Sequence, residues 1–251
     1  MSLMKVEKLN KSFKAIHVLK DATIELQPGE RHVIIGPNGA GKTTFINCLY
    51  GTLKFESGDV FLEGKSIKDV PSHERVQLGM ARTFQKNNLF NDLTVEENIY
   101  LAILSEKPYK MKFFKGLSEY FDIKKESKEM LLQWEMQDRR NVKVKNLSYG
   151  EQRVLEIMLA LCANPKILLL DEPTSGMSPS ETVRTTELIK KIPRSVTLLM
   201  IEHDMEVVFS TADRITVLHH GETILSGTPE EVRGNEMIQE IYFGGGARNH
   251  A

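Results

Sequence analysis

Eight consecutive residues, Gly36-Pro37-Asn38-Gly39-Ala40-Gly41-Lys42-Thr43, have the types and the spacing to hold phosphate. In such a P-loop the glycines let backbone amides wrap phosphate oxygens, and the helix that follows points its positive dipole end at them. Lys42 would reach the β- and γ-phosphates of a nucleotide and the Thr43 hydroxyl would bind Mg²⁺, with Thr44 next in the same cofactor-binding stretch. An ordinary glycine-rich turn is the plain alternative. It fits less well, because an apolar run, His32 to Ile35, lies directly before the motif and a helical pattern directly after it.

A second cluster ends an apolar run. Ile167-Leu168-Leu169-Leu170-Asp171-Glu172-Pro173 reads as a buried strand that delivers two carboxylates at its C-terminal end, where parallel sheets bind nucleotides. Asp171 suits a Mg²⁺ contact through water, and Glu172 suits polarising an attacking water. Acidic residues after a strand are also ordinary turn residues, so this pair does not stand alone. Leu147-Ser148-Tyr149-Gly150-Glu151-Gln152-Arg153 precedes the apolar stretch Val154 to Cys162. By itself that is a serine-capped buried helix whose start attracts anions.

The elements that must position these residues read as an α/β core. Short β-rich runs, Met4 to Leu9, Ala22 to Leu26, His32 to Ile35, Asp59 to Leu62, Ile167 to Leu170 and Val196 to Ile201, are interleaved with helical patterns at Lys42 to about Gly51 and Pro179 to Lys191. Four-residue apolar strands separated by helices predict a parallel sheet covered on both faces. From about residue 91 to 161 helical patterns dominate, opening on a capping box at Thr94 and Glu97, which predicts an inserted helical subdomain within a single domain of 1–251. Arg214 to His219 and Thr223 to Ser226 read as a hairpin, Thr228-Pro229 begins a short helix, and 244–251 reads as a flexible tail.

Composition narrows the classes. A chain of 251 residues, 41% hydrophobic and 27% charged, can bury one substantial core. A net charge of -1 gives no global attraction to nucleic acid. Cys48 and Cys162 lack metal-ligand spacing, which disfavours disulfide or zinc frameworks and favours a reducing, cytoplasmic setting. The N-terminal residues show no signal-peptide pattern, and no apolar run approaches the roughly 20 residues of a membrane-spanning helix.

Taken in order, these elements resemble the ATPases of the ABC family, over nearly the whole chain. The resemblance implies a P-loop NTPase core with a parallel central sheet, an N-terminal antiparallel β subdomain and the helical insertion. It places Phe13 where an aromatic residue stacks on adenine, Gln85 in Thr83-Phe84-Gln85 as the Q-loop glutamine at the metal, and His203 in Ile201-Glu202-His203-Asp204 as the switch histidine at the γ-phosphate. Leu147 to Gln152 resembles the signature sequence, so that Ser148, Gly150 and Gln152 would act on the ATP of a neighbouring chain. Lys42, Gln85, Glu172 and His203 would be the catalytic set, with ATP and Mg²⁺ as cofactors. Two departures stand out: Tyr149 where Gly is frequent, and Ser178 in Ser175-Gly176-Met177-Ser178 where Asp is usual. Ser178 cannot supply that negative charge across a dimer.

Ala81-Arg82-Thr83-Phe84-Gln85, Leu89-Phe90 and the ending Gly227-Thr228-Pro229-Glu230 resemble the ATPase subunits of branched-chain amino acid importers and of their urea and amide relatives. Lipopolysaccharide-exporter ATPases share several of these features. The implied partners are a second ATPase subunit, two membrane-spanning permease subunits and an extracytoplasmic binding protein, with this chain peripheral on the cytoplasmic face of the inner membrane. Soluble ABC ATPases of DNA or ribosomes would carry coiled-coil insertions, zinc cysteines or two cassettes. A small-molecule kinase would not need the signature helix. Leu89 and Phe90 are expected to be exposed and to dock a partner helix, and the basic, aromatic stretch Lys107 to Lys128 to form a half-buried helix with a solvated lysine face.

Overall fold

The structure is a computed structural model that describes residues 2–83, 89–106 and 116–243. In chain order the strands are β1 (Met4–Phe13), β2 (Ile16–Leu26), β3 (Arg31–Ile35), β4 (Ser57–Leu62), β5 (Lys65–Ser66), β6 (Met80–Arg82), β7 (Ile167–Asp171), β8 (Thr197–Ile201), β9 (Arg214–His219) and β10 (Glu222–Gly227). The helices are α1 (Lys42–Tyr50), α2 (Ser72–Gln77), α3 (Val95–Glu106), α4 (Gly116–Gln133), α5 (Tyr149–Leu161), α6 (Pro179–Lys190), α7 (Met205–Thr211), α8 (Pro229–Arg233) and α9 (Glu236–Phe243).

Two sheets organise the chain. The first is antiparallel, in the order β2-β1-β4-β5; the second runs β10-β9-β3-β8-β7-β6, parallel except for the β10–β9 hairpin. Alternate residues of the central strands enter two separate cores. Val33, Ile35, Leu168, Leu170, Leu198 and Met200 face the core that α3, α5 and α6 complete. Ile34, Ile167, Leu169, Leu199 and Ile201 face the core shared with α1 and the antiparallel sheet. Both faces are covered, so β3, β7 and β8 are buried at every position, and apart from Arg31, His32, Asp171 and Thr197 at their ends they are apolar throughout.

The helix α1 is fixed at its far end by Arg75, which is 1% exposed. Its guanidinium donates to the carbonyls of Cys48 and Leu49 at the C-terminus of α1, and to those of Ile67, Lys68 and Val70. A cation placed there satisfies orphan carbonyls and complements the negative helix end. Cys48 and Cys162 are free and buried, and burial pushes the Cys48 thiol up to about 12.

Strands β1 and β2 are longer than the alternation predicts, ending at Phe13 and starting at Ile16. Register shifts between Val6 and Leu9 and between Leu9 and Ser12 break the period-two pattern, and many of the added side chains are partly exposed. The three-residue edge strand β6 and the helices α2 and α7 are too short to carry a period. A correction concerns Leu89: it is buried among Val95, Ile99 and Leu147 rather than presented to a partner. Asn98, 1% exposed, bonds both the N–H and the carbonyl of Phe90, so that turn is pinned and Phe90 alone stays exposed. Of the stretch Lys107 to Lys128, the described side chains of Lys124 and Lys125 are exposed and Ile123 is buried.

Candidate active site

The loop from Gly36 to Gly41 leaves β3 and enters α1 through Gly41, which adopts φ 98° and caps the helix with no side-chain bond. That left-handed geometry favours glycine, and it leaves the first-turn amides of α1 without a side-chain acceptor. Gly36 is required for a different reason: a Cβ there would lie 2.2 Å from the Leu218 carbonyl oxygen of β9. Pro37 is half-buried, Asn38 and Gly39 are exposed, and Ala40 is buried. Ala40 accepts from the Gly221 amide at 3.1 Å, and the Gly221 carbonyl accepts from Lys20 N at 2.9 Å. The tight His220-Gly221 turn of the β9–β10 hairpin thus joins the loop to β2.

Lys42 is 8% exposed and donates from Nζ to the Gly36 and Pro37 carbonyls, at 2.7 and 3.2 Å. Burial lowers its pKa, while the charges of Glu172 and Asp171 oppose that shift, which puts the two carboxylates within its electrostatic reach. Thr43 is exposed and Thr44 half-buried on the same first turn. A lysine held over its own loop, uncapped amides and flanking hydroxyls form a donor set suited to phosphate.

Asp171 closes β7 at 3% exposure. Its Oδ2 accepts from Arg82 Nη2 at 3.1 Å, while its buried Oδ1 has no hydrogen-bond partner among the described residues. Burial raises its pKa, and the Arg82 guanidinium holds it back. A buried carboxylate with one oxygen unused beside a hydroxyl-bearing helix turn fits a hydrated Mg²⁺. Arg82 also donates to Asn47 on α1 at 2.6 Å. It therefore ties the ends of β6 and β7 to α1.

Glu172 follows in a left-handed conformation, φ 48°, a strain that non-glycine residues accept where surrounding structure imposes it. Its N–H donates to the Ile201 carbonyl, and its Oε1 lies 3.9 Å from His203 Nδ1. Behind both stands Glu202, fully buried. It accepts from Thr174 N at 3.1 Å, Thr174 Oγ1 at 2.6 Å and His203 N at 3.0 Å. One carboxylate thus staples the loop after Glu172 to the loop that carries His203.

Lys42, Asp171, Glu172 and His203 are brought together. Phe13 is 46% exposed at the tip of the β1–β2 hairpin, with Lys11 Nζ 5.2 Å from its ring centre, and Val18 of the same hairpin touches the Gly41 position. Gln85 lies outside the described residues. Ser148, Gly150 and Gln152 stand on the start of α5, where Ser148 and Glu151 form a capping box and Gln152 Nε2 donates to the Val144 and Leu147 carbonyls. The hydrogen bonds of Ser148 run to its own helix and to α6, not to the P-loop. Arg153, a turn into α5, pairs with Glu156 at 2.8 Å and contributes to the potential at Asp171, which links the two parts of the chain. Sequence reasoning missed Arg82 and Glu202 as supports. The signal for Arg82 was a charged residue closing an otherwise apolar segment, and for Glu202 an acid directly after the apolar run Leu198 to Ile201.

The family profile described as ABC transporter matches residues 19–175. The chain is 36% identical to the high-affinity branched-chain amino acid transport ATP-binding protein LivG of Escherichia coli K12, over 96% of this chain and 98% of that protein. It is 29% identical to the lipopolysaccharide export system ATP-binding protein LptB of Acidithiobacillus ferridurans, over 96% and 97% of the two chains. Among solved structures it resembles the ADP conformation of the ATP-binding cassette MJ1267, with TM-score 0.82, 28% identity and coverage of 97% and 99%. It also resembles the dimeric post-hydrolysis state of the cassette MJ0796 bound to ADP and Pi, with TM-score 0.75, 27% identity and coverage of 90% and 98%.

Proposed function

This chain belongs to the ABC transporter family, as an ATP-binding and ATP-hydrolysing subunit, and from that membership we propose that it energises import of branched-chain amino acids. The likeness to LivG along the whole chain supports the cargo. The observation that carries the chemistry is the meeting of Lys42, Asp171, Glu172 and His203 at the C-terminal edges of β3, β7 and β8. We read 1–251 as one ATPase domain with a helical subdomain at about 91–161.

In this reading the loop amides and Lys42 bind the β- and γ-phosphates, and Phe13 stacks on the adenine. Thr43, Gln85 and, through water, Asp171 would hold Mg²⁺, which would supply positive charge to the phosphate oxygens. Glu172 orients the attacking water and accepts its hydrogen bond, and His203, beside it, donates to the γ-phosphate. Ser148, Gly150 and Gln152 serve the ATP of a second ATPase subunit. The work is positioning and electrostatics, which is why buried supports such as Glu202 matter.

Among the described residues no helix is long and apolar enough to cross a membrane. The two permease subunits would supply the membrane-spanning part, with this chain peripheral on the cytoplasmic side and a binding protein outside. Reconstitution with the permeases and the binding protein tests the cargo. ATPase activity should rise when the binding protein carries leucine, isoleucine or valine. Stimulation by urea, amides or lipopolysaccharide alone would replace this cargo with another.

A further inference from the structure

The hydroxyl of Ser148 is already committed within its own chain. Ser148 Oγ accepts from Glu151 N at 3.2 Å and donates its one proton to Glu181 Oε1 at 2.9 Å. The other oxygen of Glu181 accepts from Ser178 N at 3.0 Å and Ser178 Oγ at 2.8 Å. A Cβ on Gly150 would lie 2.8 Å from Glu181 Oε1, so the side chain reaches α5 only because Gly150 lacks one. Tyr149 lies over the same loop, its ring edge 3.5 Å from where a Cβ on Gly176 would be. Glu181 therefore joins the start of the signature helix to Ser178, the position where the usual Asp is missing.

Phosphate oxygens only accept hydrogen bonds, and Ser148 has one proton to give. A carboxylate that holds that proton also sets a negative charge beside the place a phosphate must enter. We propose that Glu181 competes with the partner's ATP for the Ser148 hydroxyl, and so sets the ATP concentration at which the two cassettes close. This rests on the reading that Ser148 serves the neighbouring chain's nucleotide. Glu181 then moves wholly to Ser178, whose N–H and Oγ retain it after Ser148 turns away. The Ser178 backbone amide, then the Ser178 and Ser148 hydroxyls and the Gly150 amide, hold the Glu181 carboxyl below its ordinary range, so it is charged at neutral pH.

Glu181→Gln separates charge from shape. Gln is accepted at the third position of a capping box, so α6 keeps its start. Its amide can donate to Ser148 Oγ, which frees the Ser148 proton for phosphate. In the assembled transporter carrying Glu172→Gln, ATP retained after gel filtration is measured against ATP concentration. Glu181→Gln should lower the midpoint by roughly fivefold, with the melting temperature unchanged. Glu181→Asp, a methylene too short to reach Ser148, should shift it the same way. A midpoint unchanged or raised in both variants overturns the proposal. Ser148→Ala in the same assay should abolish retention. If it does not, the assignment of Ser148 to the partner's ATP fails and the proposal falls with it. If it does, a null result for Glu181 is a failure of the proposal alone.

Discussion

Glu202 has no contact with any phosphate in this reading, yet three donors converge on it inside the protein. Replacing it with Gln turns one acceptor oxygen into a donor that faces Thr174 or His203 N–H. Glu202→Gln should destabilise the fold by about 1–3 kcal/mol in urea denaturation. It should also lower kcat more than it raises KM, because the loops bearing Glu172 and His203 lose their common tether. Arg82 calls for the opposite test. Its side chain and that of Asp171 are 7% and 1% exposed, so Arg82→Gln leaves a buried carboxylate without its cation. The expected cost is about 3–5 kcal/mol by chemical denaturation. Neither residue could be assigned from the chain: Arg82 and Asp171 are 89 positions apart and Glu202 and Thr174 are 28 apart. Side-chain pairs at such separations leave no local period.

At the scale of the element, α1 is held at both ends by long-range partners. Its start depends on β9 through Gly36 and on the β9–β10 turn through Gly221, and its end depends on Arg75. Arg75→Met keeps the volume and strands several buried carbonyls, with an expected loss of about 3–5 kcal/mol in thermal or urea unfolding. Arg75→Lys should recover part of it, since an ammonium brings three donors to a site built for five. The segment after β6 offers a second test. Phe90 remains exposed at 59% where Leu89 turned inward, so Phe90→Ala should reduce co-purification with the permease subunits while leaving the melting temperature within about 1 °C. Unchanged co-purification would remove this residue from the docking surface. The helix starts were legible: the box read at Thr94 forms, and the helices read after Ser148 and Thr228 start there, because a cap and its partner lie three residues apart. The edge strand β6 was not, for its pairing with β7 lies wholly outside its three residues.

For the whole molecule, the chain holds one P-loop and one signature helix, and no hydrogen bond described here joins Ser148 to the P-loop. If each ATP lies between two copies, a chain with Lys42→Ala and one with Ser148→Ala should each be inactive alone. Mixed in equal amounts they should recover about a quarter of wild-type activity, because half of the pairs are mixed and each mixed pair has one intact site of two. No recovery, with both chains folded, would point to a related but different subunit as the partner.

What the sequence determined by itself was the chemistry and its scaffold. The P-loop, the acids after Leu170 and the buried strands are local patterns, written in neighbouring residues whose conformation is set by sterics and burial. Only the tertiary structure decided how that chemistry is held and restrained: Asp171 by Arg82, the Glu172 loop by Glu202, and Ser148 by Glu181. Buried or shared polar groups must find partners wherever the fold brings them, and those partners came from strands and helices far along the chain.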